Sequence, residues 1–459
     1  MFRLNQQPAL IRHSKRIPPA ITLALSFMII IILGSVALWL PFSHYGHLSW
    51  LDAFFTATSA TCVTGLIVVD TGEKFTLVGQ WITILLVQIG GLGIMTFSVF
   101  FSYLFYGRLS IKSRNMIEHS LGIKGMPKLG HMLLFIVVGT FVFELIGALI
   151  MSVRFHHYFD WPRAIYLGVY HAISAFCNAG FCLFSNSFMD YQSDWVLNLV
   201  LLALIVLGGI GFWVLFDLRN FFIHNRGFRA LSMHSRLVIS TTLILIVTGF
   251  ILIFLFEYSN TLAELSGPSK VLAALFQSIT TRTAGFNSLN ISTLTNSTLF
   301  LMLLLMMIGA SPGSCGGGIK TTTSAVLFGI ILSRIRDQRQ IRLQNRGIPE
   351  MVVSKSIGII AFWLLAVTVV ILILLFTEHP GGLHDRSRVL FLQVLFESFS
   401  AMGTVGLSMG LTPVLSQVGK LCIIFLMFFG RVGPLSIAIA IATKKASRIR
   451  YAEDNLLVG

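Results

Sequence analysis

Four times along this chain an apolar run long enough to cross a bilayer is followed by a shorter one and then by a second long one. The long runs lie at 21–40 and 78–104, 132–153 and 195–216, 237–256 and 298–332, and 357–377 and 420–442. Each suffices for about 30 Å of hydrocarbon. Between the members of each pair sit runs 51–61, 165–176, 271–280 and 389–401, too short to span and suited to re-entrant helices. Composition agrees: of 459 residues 55% are hydrophobic and 11% charged, where a soluble domain carries about a quarter charged. A soluble enzyme, a nucleic-acid-binding domain and a disordered chain are excluded. The expected fold is an all-α polytopic membrane protein with eight transmembrane helices and four re-entrant half-helices.

The net charge of +15 has a membrane explanation. Basic residues cluster in five segments: Arg3, Arg12, Lys15 and Arg16; Arg108, Lys112, Arg114, Lys124 and Lys128; Arg219, Arg226, Arg229 and Arg236; Arg334, Arg336, Arg339, Arg342, Arg346 and Lys355; Lys444, Lys445, Arg448 and Arg450. These fall on one side if eight helices alternate, so both termini are expected in the cytoplasm. No nucleic-acid motif accompanies them, and no nucleic acid is expected as a partner. The first run is long for a signal peptide and reads as the first helix. Cys62, Cys177, Cys182, Cys315 and Cys422 are odd in number, without a CxxC pair, and read as free thiols.

An internal repeat underlies the pattern. FFTATSATCVTGL (54–66), VYHAISAFCNAGF (169–181), ALFQSITTRTAGF (274–286) and LFESFSAMGTVGL (395–407) align on Gly65, Gly180, Gly285 and Gly406. Further on, each repeat has glycines within its second long run: IGGLG, LGGIG, IGASPGSCGGG and FGRVG. The expected divisions are a tail 1–19, pore repeats 20–125, 126–230, 231–350 and 351–443, and a tail 444–459.

Irregular backbone at membrane depth is tolerated only where protein buries it or a watery cavity receives it. Four such loops meeting on a pseudo-fourfold axis can replace the water shell of a cation with carbonyl oxygens. The expected ion-contacting residues are Val63, Thr64 and Gly65; Asn178, Ala179 and Gly180; Thr283, Ala284 and Gly285; and Thr404, Val405 and Gly406. Glycine reaches positive φ and has no Cβ to obstruct the passage. The half-helices would direct their negative ends at the cavity. No carboxylate lies within the four loops, which favours a monovalent alkali ion over Ca²⁺ or Mg²⁺.

The loops TCVTGL, CNAGF, TTRTAGFN and GTVGLS, with GGGIKTTT in the third repeat, resemble those of the Trk/Ktr/HKT superfamily of potassium transporters. The likeness covers nearly the whole chain. Because the chain starts directly with the first repeat, it is most similar to bacterial Ktr-type membrane subunits. The resemblance implies K⁺ uptake through one channel-like pathway per chain, a homodimer in the bacterial inner membrane, and a cytoplasmic nucleotide-binding regulatory ring (KtrA-like). In some plant relatives a serine replacing the first-repeat glycine goes with Na⁺ transport, so Gly65 favours K⁺; Na⁺ coupling stays open. K⁺, with Na⁺ as the other choice, is the transported ion, and no cofactor is implied in this chain.

The segment Gly309, Ala310, Ser311, Pro312, Gly313, Ser314, Cys315, Gly316, Gly317 and Gly318 cannot continue a helix comfortably, at about 1 kcal/mol per Gly and 3 for Pro. In the family the matching loop is the gate; a rigid packing hinge is the other reading. Arg431, inside an apolar run, should face the cavity or a partner. The family carries a basic residue there, which implies an electrostatic barrier touching the gate; bonding of loop carbonyls alone is the alternative. Arg282 and Glu397, beside the glycines, read as a scaffold pair or outer-mouth residues. Glu144 reads as a hydrogen-bonded core carboxyl, and His156, His157 and His171 form no ligand set. GSCGGGIKT is not a P-loop, since Ile319 precedes Lys320. GGLG and GGIG lack a βαβ context and read as close helix contacts. No catalytic cluster is present, so the chain is not expected to be an enzyme. The rival function is an alternating-access cation transporter coupled to Na⁺ or H⁺, which would call for inverted repeats and midplane acids.

Overall fold

The computed structural model describes residues 19–93, 129–223, 231–338, 340–344, 346–378 and 384–433. Residues 1–18 and 444–459 of the tails, the whole basic segment 108–128 and the ends of the expected runs 78–104 and 420–442 lie outside these residues. What is described is predominantly helical. In chain order the helices are α1 (Pro19–Trp39), α2 (Trp50–Thr61), α3 (Leu77–Leu92), α4 (Leu129–Phe155), α5 (Trp161–Phe176), α6 (Trp195–Ile210) and α7 (Phe212–Ile223). Then follow α8 (Met233–Glu257), α9 (Gly267–Thr280), α10 (Asn296–Met307), α11 (Thr321–Ile335), α12 (Glu350–Thr377), α13 (His384–Gly403) and α14 (Gln417–Val432). A hairpin of two-residue strands, β1 (Arg342–Leu343) and β2 (Arg346–Gly347), joins α11 to α12.

The short apolar runs form α2, α5, α9 and α13, each ending just before its glycine loop. Three helices among the described residues are long and apolar enough to cross a bilayer alone: α4, α8 and α12. Their outer faces expose Leu145, Leu255, Leu372 and Phe376 at 61–87%, apolar surface that hydrocarbon can cover and water could not. The run 195–216, expected as one span, is two helices bent by 99° at Gly211, whose φ is +95°. Both α3 and α14 also stop at positive-φ glycines, Gly93 and Gly433. Run 298–332 is interrupted between α10 and α11, at the segment its glycines and proline mark.

Burial follows a circuit, with no single central core. One cluster joins α1–α3 to α5 and its loop through Ala57, Val63, Tyr170 and Phe181. A second joins α4–α7 to α9 through Phe176, Leu201, Ile205 and Phe276. A third joins α8–α10 to α13 through Met302, Met306, Phe396 and Val405. A fourth joins α12–α14 back to α1 and α2 through Trp363, Met427, Ile31 and Phe55. The Lys420 ammonium reinforces this last seam, 2.7 Å from the Asp52 carboxylate.

Each inner helix is also clasped to the helix that opens its quarter of the chain. Thr76, Asp194, Thr295 and Ser416 cap α3, α6, α10 and α14 with their side chains. Thr76 donates to the Phe42 carbonyl (2.7 Å), and Arg154 donates to Asp194 (2.7 Å). Thr295 donates to Glu257 (2.8 Å) and Ser416 to Glu378. Such caps contribute about 1 kcal/mol each and fix where the glycine loops can sit.

Candidate functional site

The loops after α2, α5, α9 and α13 share an uncommon backbone. Val63, Asn178, Thr283 and Thr404 have φ of 56°, 58°, 69° and 51°, and the glycines two residues on have 91°, 69°, 80° and 93°. The residue between is in the negative-φ region in every case. Left-handed φ costs an L-residue about 1–2 kcal/mol, and three of the four non-glycines are β-branched, for which it is a true outlier. Such strain persists only where the surroundings over-determine it. Here serines do so: the N–H groups of Thr64, Ala179 and Val405 donate to the carbonyls of Ser59, Ser174 and Ser400, respectively, at 2.8 Å. The hydroxyls of Ser59 and Ser400 accept from Gly65 and Gly406 N–H at 3.1 Å, and Ser174 donates to the Phe181 carbonyl. In the third loop Ile279 stands at the serine position, and Thr280 takes over by donating to the Phe286 carbonyl.

The four loops close a ring. A Cβ built on Gly180 would lie 2.8 Å from the Ala284 carbonyl oxygen and 2.9 Å from Gly285 Cα. One on Gly285 would lie 2.5 Å from the Val405 carbonyl oxygen and 3.3 Å from Gly406 Cα. One on Gly406 would press on the Thr64 carbonyl, 3.0 Å from Gly65 Cα, and one on Gly65 on the Ala179 carbonyl, 3.1 Å from Gly180 Cα. Each glycine therefore abuts the next loop's backbone and the last abuts the first. All four border one cavity of about 200 Å³.

The loop 309–318 lies against the other side of this ring. A Cβ on Gly316 or Gly317 would meet the side chains of Thr283 or Thr404, and Gly317 N–H donates to the Thr404 hydroxyl at 3.0 Å. Ser311 and Cys315 N–H donate to the Gly209 and Gly208 carbonyls, both at 3.1 Å, and Phe212 N–H donates to the Gly313 carbonyl at 3.0 Å. Arg431 donates to the carbonyls of Cys315 and Gly90, while Lys320 spans the loop to the Gly316 carbonyl at 2.7 Å. The loop thus touches the α6–α7 break, α14 and the residues after α9 and α13, and Arg431 ties it to α3.

Other expected residues find different partners. Arg282 and Glu397 do not pair, which corrects the scaffold-pair reading: they belong to different repeats, and each bonds within its own. Glu397 accepts from Ser408 and Thr412 hydroxyls and from Met409 and Leu411 N–H, tying α13 to the segment after its glycine. Arg282, 7% exposed, reaches the Thr242 hydroxyl at 3.4 Å. His171 holds the same register to Gly180 as Glu397 to Gly406; it accepts from Leu183 N–H and bonds the Leu167 carbonyl. Gln88 donates to Glu144 at 3.2 Å, and all five cysteines are free. The glycines of IGGLG, LGGIG and FGRVG do make close contacts: Gly90, Gly208 and Gly430 lie against the carbonyls of Thr61, Phe176 and Met402. Among the described residues no three His, Cys, Asp or Glu side chains are grouped to hold a metal.

A family model described as TrkH, cation transport protein, matches residues 15–449. The chain belongs to that family. It is a membrane cation transporter. It is 40% identical to the Ktr system potassium uptake protein B of Bacillus subtilis (strain 168), over 99% of both chains. It is 38% identical to the protein of that name from Vibrio alginolyticus, covering 95% of this chain and 94% of that one. The potassium/sodium uptake protein NtpJ of Enterococcus hirae is 34% identical, over 98% and 99%. The crystal structure of the potassium transporter TrkH from Vibrio parahaemolyticus shares the fold, with a TM-score of 0.73 at 21% identity, covering 94% of this chain and 86% of that one.

Proposed function

We propose that this chain carries K⁺ into the cell through a channel-like pore whose narrowest point is the ring of Gly65, Gly180, Gly285 and Gly406. The closed circuit of glycine–carbonyl contacts, open to a common cavity, carries the reading. Alternating φ along each loop is how an extended segment brings successive carbonyls to one side, where they substitute for an ion's water shell. The buried Thr64 and Thr283 hydroxyls have no hydrogen-bond partner among the described residues. Eight membrane crossings in four parallel repeats fit this arrangement, the bent and broken inner helices each counting as one crossing. Membrane potential suffices as the driving force, since 100 mV supplies about 2.3 kcal/mol per charge, equivalent to roughly a fiftyfold gradient.

The loop 309–318 is the gate in this reading. It lies directly beneath the ring and is held by hydrogen bonds that a small rearrangement can exchange, with Arg431 as latch and electrostatic barrier. Relatives named as Ktr system proteins fit a chain that works with regulatory subunits; in this reading it is a homodimer that docks a nucleotide-binding ring at the basic segment Arg334–Arg346. Na⁺ is the competitor to measure, because one relative is named for both ions. The test is growth of a K⁺-uptake-deficient bacterium in low K⁺, with ion flux measured for the wild type, Gly65→Ser and Arg431→Ala at matched expression. Rescue by the wild type is expected, with altered K⁺ affinity or Na⁺ competition in Gly65→Ser and altered flux in Arg431→Ala. Indifference of the transport to Gly65→Ser would refute the ring as the selective element.

A further inference from the structure

The cavity above the ring holds a charge that the expected carbonyl chemistry does not use. Among the described residues lining it, Asp70 alone bears a formal charge; its polar neighbours there include Ser187, Asn287 and Ser408. Asp70 follows Gly65 by five residues, outside the aligned loop. Its Oδ1 accepts from Gly72 N–H at 2.8 Å and Glu73 N–H at 3.0 Å, capping the short turn Thr71–Lys74. That cap fixes the carboxylate at the cavity wall and leaves Oδ2 without a partner among the described residues. No described basic side chain pairs with it; the ion pairs among the described residues are Arg154–Asp194 and Lys420–Asp52. Glu73, three residues on, accepts from Ser185, another lining residue, at 3.4 Å. The wall therefore presents uncompensated negative charge to the space in front of the glycines.

We propose that Asp70 is a recruitment site, holding a hydrated monovalent alkali cation in the vestibule and delivering it to the glycine ring. The proposal rests on the pore reading above. About 200 Å³ is room for roughly half a dozen waters at about 30 Å³ each, so an ion there keeps most of its shell. One carboxylate oxygen facing a wet cavity attracts such an ion without stripping it. A site of this kind raises the local cation concentration and the entry rate, as clefts of one charge sign do. Dehydration is left to the carbonyls below. Selectivity then belongs to the ring and capture to Asp70, so substitutions at the two places should fail differently.

The experiment is Rb⁺ uptake into proteoliposomes of fixed protein content, comparing wild type, Asp70→Asn, Asp70→Ser and Glu264→Gln. Asn and Ser both retain helix-capping ability, so each removes the charge while keeping the turn. Glu264 is exposed in the connection between α8 and α9, away from the cavity, and controls for general surface charge. At low ionic strength, where the Debye length is about 30 Å, both Asp70 variants should raise KM by about threefold or more with kcat retained. Inert choline chloride should shrink that difference toward parity near 1 M, where the Debye length is about 3 Å. Glu264→Gln should follow the wild type. Unchanged KM in the Asp70 variants at low salt overturns the proposal, as does a shift that salt leaves untouched. Failure of the pore reading looks different: the wild-type vesicles would take up no Rb⁺, or Gly65→Ser would leave ion competition unaltered.

Discussion

Replacing Gly285 by alanine tests the ring at the glycine that abuts two neighbouring loops at once. At φ of +80° an alanine sits in the left-handed region, at a cost of about 1–2 kcal/mol. Its Cβ would meet the Val405 carbonyl oxygen at 2.5 Å, Gly180 Cα at 3.1 Å and Gly406 Cα at 3.3 Å, all backbone atoms that no side-chain rotation can move aside. Relief of such overpacking costs about 1–3 kcal/mol more. Together these give about 2–5 kcal/mol against the present geometry. Opening the oxygen contact to an ordinary distance displaces the Val405 carbonyl by over half an ångström, while a site of this kind tolerates about 0.5 Å. K⁺ uptake in proteoliposomes should therefore fall at least about tenfold and discrimination against Na⁺ should weaken, with a lower melting temperature in detergent. Gly139→Ala is the matched control. A Cβ there meets nothing within 4 Å, and in mid-α4 the change should stabilise by up to about 1 kcal/mol with transport retained. If Gly285→Ala kept the wild-type KM, maximal rate and K⁺/Na⁺ ratio, the ring could not be where the ion is dehydrated.

Two further outcomes are expected. Glu397→Gln turns one of the oxygens that accept from Ser408, Met409, Leu411 and Thr412 into a donor facing donors. A loss of about 1.5–3 kcal/mol should appear as a lower melting temperature and faster hydrogen exchange at 408–412. The second concerns acid stability. Burial raises the pKa of Asp194, but bonds from Leu197 N–H, the Arg154 guanidinium and the Tyr158 hydroxyl outweigh it and hold the carboxyl below its ordinary value. A carboxyl depressed on folding stabilises fully above its unfolded pKa of about 3.9 and loses that contribution as pH falls through the folded value. Melting temperature should drop over that acid range, and Asp194→Asn should flatten the drop while keeping the cap on α6.

The half-helices and their loops were legible in the sequence because four independent segments repeat one pattern, and a short apolar run ending in glycine has few uses at membrane depth. The glycines and proline of 309–318 likewise announced a broken helix, since they cannot sustain one. The same composition rules could not foresee the bend at Gly211, where a short glycine string lies in an apolar run that reads as continuous. Nor do they separate Ser59, Ser174 and Ser400 from the other small polar residues of α2, α5 and α13. Those serines matter because their hydroxyls and carbonyls meet a chain that has doubled back. Arg282 and Glu397 show the limit most plainly: both stand close to a glycine in sequence, yet they belong to different repeats and bond to different neighbours.

The sequence by itself determined the class of solvent, the four-part order of helices and the places where backbone must break, because these follow from local hydrophobicity and backbone propensity. Only the tertiary structure decided that Gly65, Gly180, Gly285 and Gly406 close upon one another, that the loop 309–318 lies beneath them, and that Asp70 borders the space above. Those are contacts between residues up to 341 positions apart. They arise from the way four apolar seams pack in a circuit, which no local pattern encodes.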